Sequence, residues 1–316
     1  MTWRDRFSLA HITRSSAPIL IGPWLSELGF EALYWLPFVQ HLRTRYRWSR
    51  DRLIAVSRGG AGIWYDCARS IELLDYVPLK DLRIAQWERH QRTQSIKHTL
   101  VTRWEHQLIR LLAARLGLRH YHVLHPSLMY RTLAGWWRGD LGLHRCLRLL
   151  RFDPLVVPLP SPTLALPEAY IAAKFYQRPT WPDGEETRAW TEDLIERLTK
   201  KFPVVLLNTG FDADDHVDIA IPNTISLRAH LTPQNNLAVQ SAVIAKAKAF
   251  IGTYGGTMQL AVRLGVPAAG FYKEFKDTSY AHLTLTKFLG TSQKPPVFIG
   301  TPEEGSFVSQ MMSGIV

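Results

Sequence analysis

The sequence predicts an α/β protein of two domains, and three observations carry that prediction. The stretch 249–272, AFIGTYGGTMQLAVRLGVPAAGFY, reads as strand, glycine turn, helix, loop and strand: short apolar runs over 249–252 and 266–271 flank a helical spacing over 258–264. Two strands joined by one helix make a βαβ unit, with both strands parallel in one sheet and a right-handed crossover. The pattern of strand, glycine loop and helix then recurs from residue 18 and again from residue 52. Finally, 316 residues are long for one core, and the stretch 153–167, DPLVVPLPSPTLALP, carries five prolines and no periodic pattern. The expected domains are 1–160 and 161–316.

Composition bounds the class. With 46% hydrophobic and 11% aromatic residues the chain is an ordinary globular protein. No 18-residue apolar run is present, so no membrane span is expected. The opening MTWRDRFSLAHITRSS has charges where a signal peptide needs its apolar centre, so a cytoplasmic location is expected. Cys67 and Cys146 stand far apart without metal-ligand spacing, which fits two buried thiols in a reducing compartment. The net charge of +11 is uneven: residues 1–160 hold 24 Lys and Arg against 12 Asp and Glu, and residues 161–316 hold 14 against 15. The first domain is therefore expected to face an anionic membrane surface or an acidic saccharide, although a merely arginine-rich surface explains the charge equally well. No recognised nucleic-acid-binding motif accompanies the charge, and nucleic acid is not an expected partner.

In chain order, residues 18–21 form a short strand that runs into Gly22-Pro23-Trp24. Ser26 is the expected cap of a helix over 29–43, with Phe30, Leu33, Tyr34, Leu36 and Phe38 as its apolar positions and a kink at Pro37. Residues 52–56 are the next strand, and Arg58 stands in the glycine-rich turn 57–62 ahead of a helix over 63–74. A helix over 94–116 places Trp104, Leu108 and Leu112 at core spacing. Residues 120–126 are a strand and its exit. His120 and His122 share one strand face with no carboxylate or cysteine beside them, so no metal site is expected; His125, at the strand end, is placed for ligand contact. The segment 133–152 interleaves Trp136 and Trp137 with Arg138, Arg145, Arg148 and Arg151. It suits a membrane interface, and it equally suits a helix packed on its own domain with a basic outer face.

The second domain opens with a strand over 169–173 that leads to Lys174 and Arg178. A helix over 185–201 and a strand over 204–207 follow, ending in Asn208-Thr209-Gly210 at the same sheet edge. The acidic run Asp212, Asp214 and Asp215 lacks EF-hand spacing and reads as a solvated loop. Short strands over 219–221 and 225–227, a helix capped by Thr232, and a last strand over 297–299 complete the chain.

The stretch 235–272, NNLAVQSAVIAKAKAFIGTYGGTMQLAVRLGVPAAGFY, resembles the donor-binding half of GT-B glycosyltransferases, particularly the heptosyltransferase-like and fucosyltransferase-like groups. The segment GPWLSELGFEALYWLPF resembles the opening of bacterial polysaccharide-building glycosyltransferases, where the loop faces the acceptor. The resemblance implies two Rossmann-like domains facing each other across a cleft, with a nucleotide-sugar on the second and a glycan or lipid-linked acceptor on the first. It implies inverting transfer in bacterial surface polysaccharide synthesis, with no cofactor and no protein-bound metal. Thr253, Gly255, Gly256 and Thr257 would hold phosphate, Lys174 and Arg178 would neutralise the leaving diphosphate, and Gly210 would lie at the same edge. Tyr254 and Gln259 stand near the motif where the heptosyltransferase-like turn carries an acidic residue and a histidine. Arg58 and His125 would contact the acceptor or a phosphate. Glu27 is the first candidate for the general base and Glu31 the second; either glutamate also suits a helix N-terminus electrostatically. A non-catalytic nucleotide- or carbohydrate-binding protein and a sugar-nucleotide epimerase are the alternatives.

Overall fold

The computed structural model describes residues 3–93, 97–161, 164–177, 180–210, 221–274, 279–293 and 295–305. The chain forms two compact units, Met1–Val156 and Val157–Val316, and each is a parallel sheet with helices.

Unit 1 holds four strands, β1 (Ile19–Ile21), β2 (Leu53–Ser57), β3 (Arg69–Glu72) and β4 (His122–Leu124), in the order β3-β2-β1-β4. Leu20 pairs with Ile54 on one side and Val123 on the other. Both central strands are buried along their whole length, as a parallel sheet covered on both faces requires. Leu20, Ile54 and Val56 pack there against Leu108 and Leu112 of the helix Arg103–Arg115. The strand order reverses between β1 and β4, so the carboxyl ends of these strands, Gly22-Pro23 and His125-Pro126, flank a switch point where such sheets bind ligands.

Several helices of unit 1 depart from expectation. The helix after β1 is Leu28–Phe30, then a π-helical stretch Glu31–Trp35, then Leu36–Tyr46. The Leu36 N–H reaches back to the Glu31 carbonyl, and Pro37, which has no N–H to give, follows directly. Glu27 rather than Ser26 is the N-cap residue, without a side-chain cap bond. In place of a helix over 63–74 stand a 3₁₀ turn, Ala61–Trp64, and β3. The helix expected over 94–116 begins at Arg103, because Thr102 caps it: the Thr102 hydroxyl accepts from the Glu105 N–H at 3.2 Å and Glu105 accepts from the Thr102 N–H at 2.7 Å. The sequence reading missed the helices Trp3–Arg14 and Leu79–Thr93.

The segment 133–152 is not one amphipathic piece. It is divided between the helices Ser127–Trp137 and Leu143–Leu147, with Gly139 at positive φ between them. The Trp136 indole N–H donates to the Tyr34 hydroxyl at 3.2 Å, and Trp137 lies 5.2 Å from Tyr34 and 5.4 Å from Tyr130, ring to ring. Both tryptophans thus pack within unit 1. This is the second of the two expected arrangements, aromatics packed on their own domain.

Unit 2 holds β5 (Ile171–Lys174), β6 (Val204–Leu206), β7 (Ile225–Ser226), β8 (Ala249–Thr253), β9 (Ala268–Phe271) and β10 (Val297–Gly300). Their order, β10-β9-β8-β5-β6-β7, is the doubly wound Rossmann order. The switch point lies between β5 and β8, where Lys174 pairs with Gly252. A Cβ on Gly252 would overlap the Lys174 carbonyl oxygen, so only glycine allows the two central strands this approach. Ile171, Ala173, Leu206, Ile251 and Phe271 pack with Leu194, Ile195 and Leu198 of the helix Glu185–Thr199. The helix Asn236–Lys246 begins after Asn235 rather than at Thr232, whose N–H donates to Asn235 Oδ1 at 2.7 Å. The helix Ser279–Gln293 had no counterpart in the sequence reading.

Candidate functional site

The turn 253–257 leaves β8 at the carboxyl edge of the unit 2 sheet and leads into the helix Gly256–Arg263. Gly255 is its N-cap residue in extended backbone and provides no side-chain acceptor. The first internal bond of the turn is from the Gln259 N–H to the Gly255 carbonyl at 3.0 Å. Among the described residues, no acceptor is bound to the N–H groups of Gly255, Gly256, Thr257 or Met258. These are the orphan donors of a helix N-terminus, and the helix dipole adds partial positive charge there.

The other expected residues of unit 2 divide. Thr253 is fully buried and serves the loop after β5: its hydroxyl accepts from the Tyr176 N–H at 3.0 Å and lies 3.2 Å from the Tyr176 carbonyl. It braces the two loops of the switch point. The Tyr254 N–H bonds the Phe271 carbonyl, while Thr257 and Gln259 are buried and Gly256 is half-buried. Lys174, buried at the end of β5, donates its ammonium to Gln240 Oε1 at 2.9 Å, which sets it against the helix Asn236–Lys246. Gly210 is exposed, with φ +69°, and lies against the Arg228 side chain. Arg178 and the acidic run 212–215 lie outside the described residues.

At the carboxyl end of β2, unit 1 treats its glycine turn differently. The Glu72 carboxylate accepts from the N–H groups of Gly59 at 3.0 Å, Gly60 at 2.7 Å and Leu74 at 3.0 Å. A side chain of the protein thus occupies the N–H nest that the turn forms, and no local spacing signals it. Arg58 is buried and donates to the Ser26 carbonyl at 3.0 Å, tying this turn to the loop after β1. The expected contact of its guanidinium with a ligand is not tested by this bond, which engages Nη2 alone.

The two candidate bases separate by burial. Glu31 is 1% exposed and accepts from the Tyr65 hydroxyl at 2.8 Å. Burial pushes its pKa up to about 8, against the opposing pull of Tyr65 and Arg58. Glu27 stands four residues earlier, half-buried, on the loop that follows β1.

At the β1/β4 switch point, three side chains converge on one buried carboxylate. Glu105 Oε1 receives Arg89 Nη2 at 2.5 Å, His98 Nδ1 at 2.9 Å and His125 Nε2 at 3.1 Å. The second ring nitrogen of each imidazole is also used: His98 Nε2 accepts from the Leu25 N–H at 2.9 Å and His125 Nδ1 accepts from the Ser127 N–H at 3.1 Å. Both rings are thereby fixed as neutral tautomers that donate to Glu105. Burial lowers the His98 pKa to about 3 and that of His125 below its ordinary value. His125 therefore holds the loop, with both ring nitrogens engaged within the chain.

His98, Glu105 and His125 also have the separations of a metal-ligand set. The chemistry does not fit. Each imidazole has one lone pair, already engaged by a backbone N–H, and the Arg89 guanidinium occupies the carboxylate oxygen a cation would need.

No protein-family model matches the chain, and no curated protein matches it by sequence. Solved structures that it resembles include glycosyltransferases. The Escherichia coli heptosyltransferase WaaC with ADP is 14% identical over 95% of this chain and 100% of that chain, with a TM-score of 0.47. A glycosyl transferase of family 9 from Veillonella parvula is 11% identical over 96% and 90%, also at 0.47. The E. coli ADP-heptose lps heptosyltransferase II is 15% identical over 81% and 84%, at 0.44. At such identities and scores, chemistry has to be read from the residues themselves.

Proposed function

We propose that the chain is a glycosyltransferase of the GT-B, heptosyltransferase-like kind, transferring a sugar from a nucleotide-sugar held by unit 2 to a glycan or lipid-linked acceptor held by unit 1. The observation that carries this reading is the row of N–H groups from Gly255 to Met258 at the end of β8, beside β5, in a sheet of Rossmann order. Such donors suit a diphosphate, and they stabilise it most as it departs with its full charge. The resemblance of residues 235–272 to a donor-binding half supports the same assignment.

In this mechanism the acceptor oxygen attacks the anomeric carbon, its proton passes to a carboxylate, and the bond from that carbon to the diphosphate oxygen breaks with inversion. Glu27 is the base. Glu31, held neutral to about pH 8 and bonded to Tyr65, is poorly suited to take a proton at neutral pH. The N–H groups do the work of charge stabilisation without a protein-bound metal, and the acceptor belongs to a bacterial surface glycan.

The test is thermal melting of the full chain against the diphosphates of uridine, guanosine, adenosine, thymidine and cytidine, followed by product analysis with the matching sugar nucleotide. One base raises the melting point, since a ligand of the native state must. Gly256→Asp, which sets a carboxylate before the same N–H groups, leaves the melting point in buffer intact and abolishes the rise. Glu27→Gln keeps the rise and loses turnover by about 10²–10⁴-fold. Binding without transfer or hydrolysis would make the chain a non-catalytic binder, and an isomerised sugar formed without acceptor would make it an epimerase.

A further inference from the structure

The helix Leu79–Thr93 buries one face, through Leu82, Ala85 and Arg89. Its opposite face repeats at spacings of four, three and four, through Lys80, Ile84, Trp87 and Gln91, and all four are exposed. Ile84 is 55% and Trp87 63% exposed, among the largest apolar exposures of unit 1. Lys80 and Arg83 flank them. Beside this face, between the helix and the start of Arg103–Arg115, lies a recess of about 280 Å³. Arg92, Arg103, Trp104 and Gln107 line it together with Glu88, and Arg89, paired to Glu105, forms its inner wall.

We infer that this face docks on an anionic phospholipid surface, with Ile84 and Trp87 entering the interface and the recess taking a lipid phosphate between Arg92 and Arg103. A tryptophan and an isoleucine presented together with cations at their edge match the layered chemistry of a bilayer interface, apolar beneath and anionic above. The excess of 24 basic over 12 acidic residues in 1–160 gives the approach its long-range attraction. The recess adds a place of headgroup size with two exposed guanidiniums, which a purely apolar protein partner would leave unused. Glu88 opposes the anion, and its removal strengthens docking. This inference is independent of the donor site, and either can fail without the other.

The experiment is co-sedimentation of the full chain with vesicles of phosphatidylcholine, with and without phosphatidylglycerol, at low and high salt. Only the anionic vesicles carry the protein down, and salt releases it. Ile84→Ser with Trp87→Ser lowers the partition coefficient about tenfold or more, and Arg92→Gln with Arg103→Gln lowers it about fivefold per charge removed. Glu88→Gln raises it. All these positions apart from Arg89 are on the surface, and an unchanged melting point confirms that the variants are folded. Failure to sediment with anionic vesicles overturns the inference, as does sedimentation indifferent to the Ile84/Trp87 pair. A dimer in solution that the same pair dissolves overturns it too, by assigning the face to a second copy of the chain.

Discussion

The carboxyl edges of the two sheets are built from the same parts and finished in opposite ways. In unit 1 the polar backbone groups at the strand ends are taken by the protein's own side chains: Glu72 on Gly59 and Gly60, His98 on Leu25, His125 on Ser127. In unit 2 the turn after β8 has glycines where a capping side chain would stand, and the N–H groups from Gly255 to Met258 meet no acceptor among the described residues. A glycine-rich turn at the end of a parallel strand is therefore not in itself an anion site. Whether a carboxylate from a neighbouring element already sits in it decides what it can bind.

The most severe way to break the comparison is at Glu105. Glu105→Ala leaves the Arg89 guanidinium buried without its carboxylate and takes the acceptor from two imidazoles, and the expected loss is about 3–5 kcal/mol of stability. Urea unfolding measures it; a loss under about 1 kcal/mol would show that the cluster is not the clamp its geometry describes. Glu72→Ala acts more mildly, at about 1–3 kcal/mol, by stranding N–H groups of a partly buried turn. It also sharpens the comparison. With its own carboxylate gone, unit 1 acquires an anion site, so inorganic phosphate or sulfate raises the melting point of the variant by more than that of the wild type. Equal rises would mean that the turn collapses instead of opening.

How much of this was legible depended on whether the signal was local. The strands β2, β5 and β8 announce themselves as apolar runs closed by glycine or polar turns, because a doubly covered parallel sheet leaves no polar alternation to confuse them. The edge strand β3 begins with exposed Arg69 and Ser70, so its run lacks the apolar signature of a strand and fits a helix equally well. The helix Leu79–Thr93 went unseen because Ile84 and Trp87 point outward and spoil the period that betrays an amphipathic helix. At the candidate site, the turn 253–257 could be found from its glycines, whereas the buried cluster could not: Glu105 meets partners at positions 89, 98 and 125, and no sequence spacing encodes that meeting. Its single local trace is the Thr102-x-x-Glu105 capping box.

The two buried carboxylates of unit 1 and their neighbours set opposing pH responses. Glu31, facing Tyr65, Arg58 and Glu72, keeps its proton to about pH 8 when folded and to about 4.5 when unfolded, so its contribution is lost as pH rises across that window. His98, facing Glu105, Arg89 and His125, stays neutral to about pH 3 when folded against 6.5 when unfolded, so its contribution is lost as pH falls across that range, and His125 acts in the same direction. Each proton is worth a slope of about 1.4 kcal/mol per pH unit. Glu31→Gln therefore removes a decline between pH 4.5 and 8 and leaves the acid-side loss in place. Subtracting its urea-unfolding profile from that of the wild type isolates one proton; a flat difference would show that Glu31 is ionised in the fold.

The smallest expected effect tests the least conspicuous difference between the units, the use of Thr253. Its hydroxyl bridges to Tyr176 and so joins the loops after β5 and β8, while the N–H groups from Gly255 to Met258 meet no acceptor among the described residues. Thr253→Val keeps the shape and removes both bonds of the bridge to Tyr176, for a loss of about 1 kcal/mol. If the hydroxyl is only a brace, the nucleotide-induced rise in melting point keeps its size relative to the new baseline. A rise that disappears with the hydroxyl would return Thr253 to the phosphate and make the open face of unit 2 one residue wider.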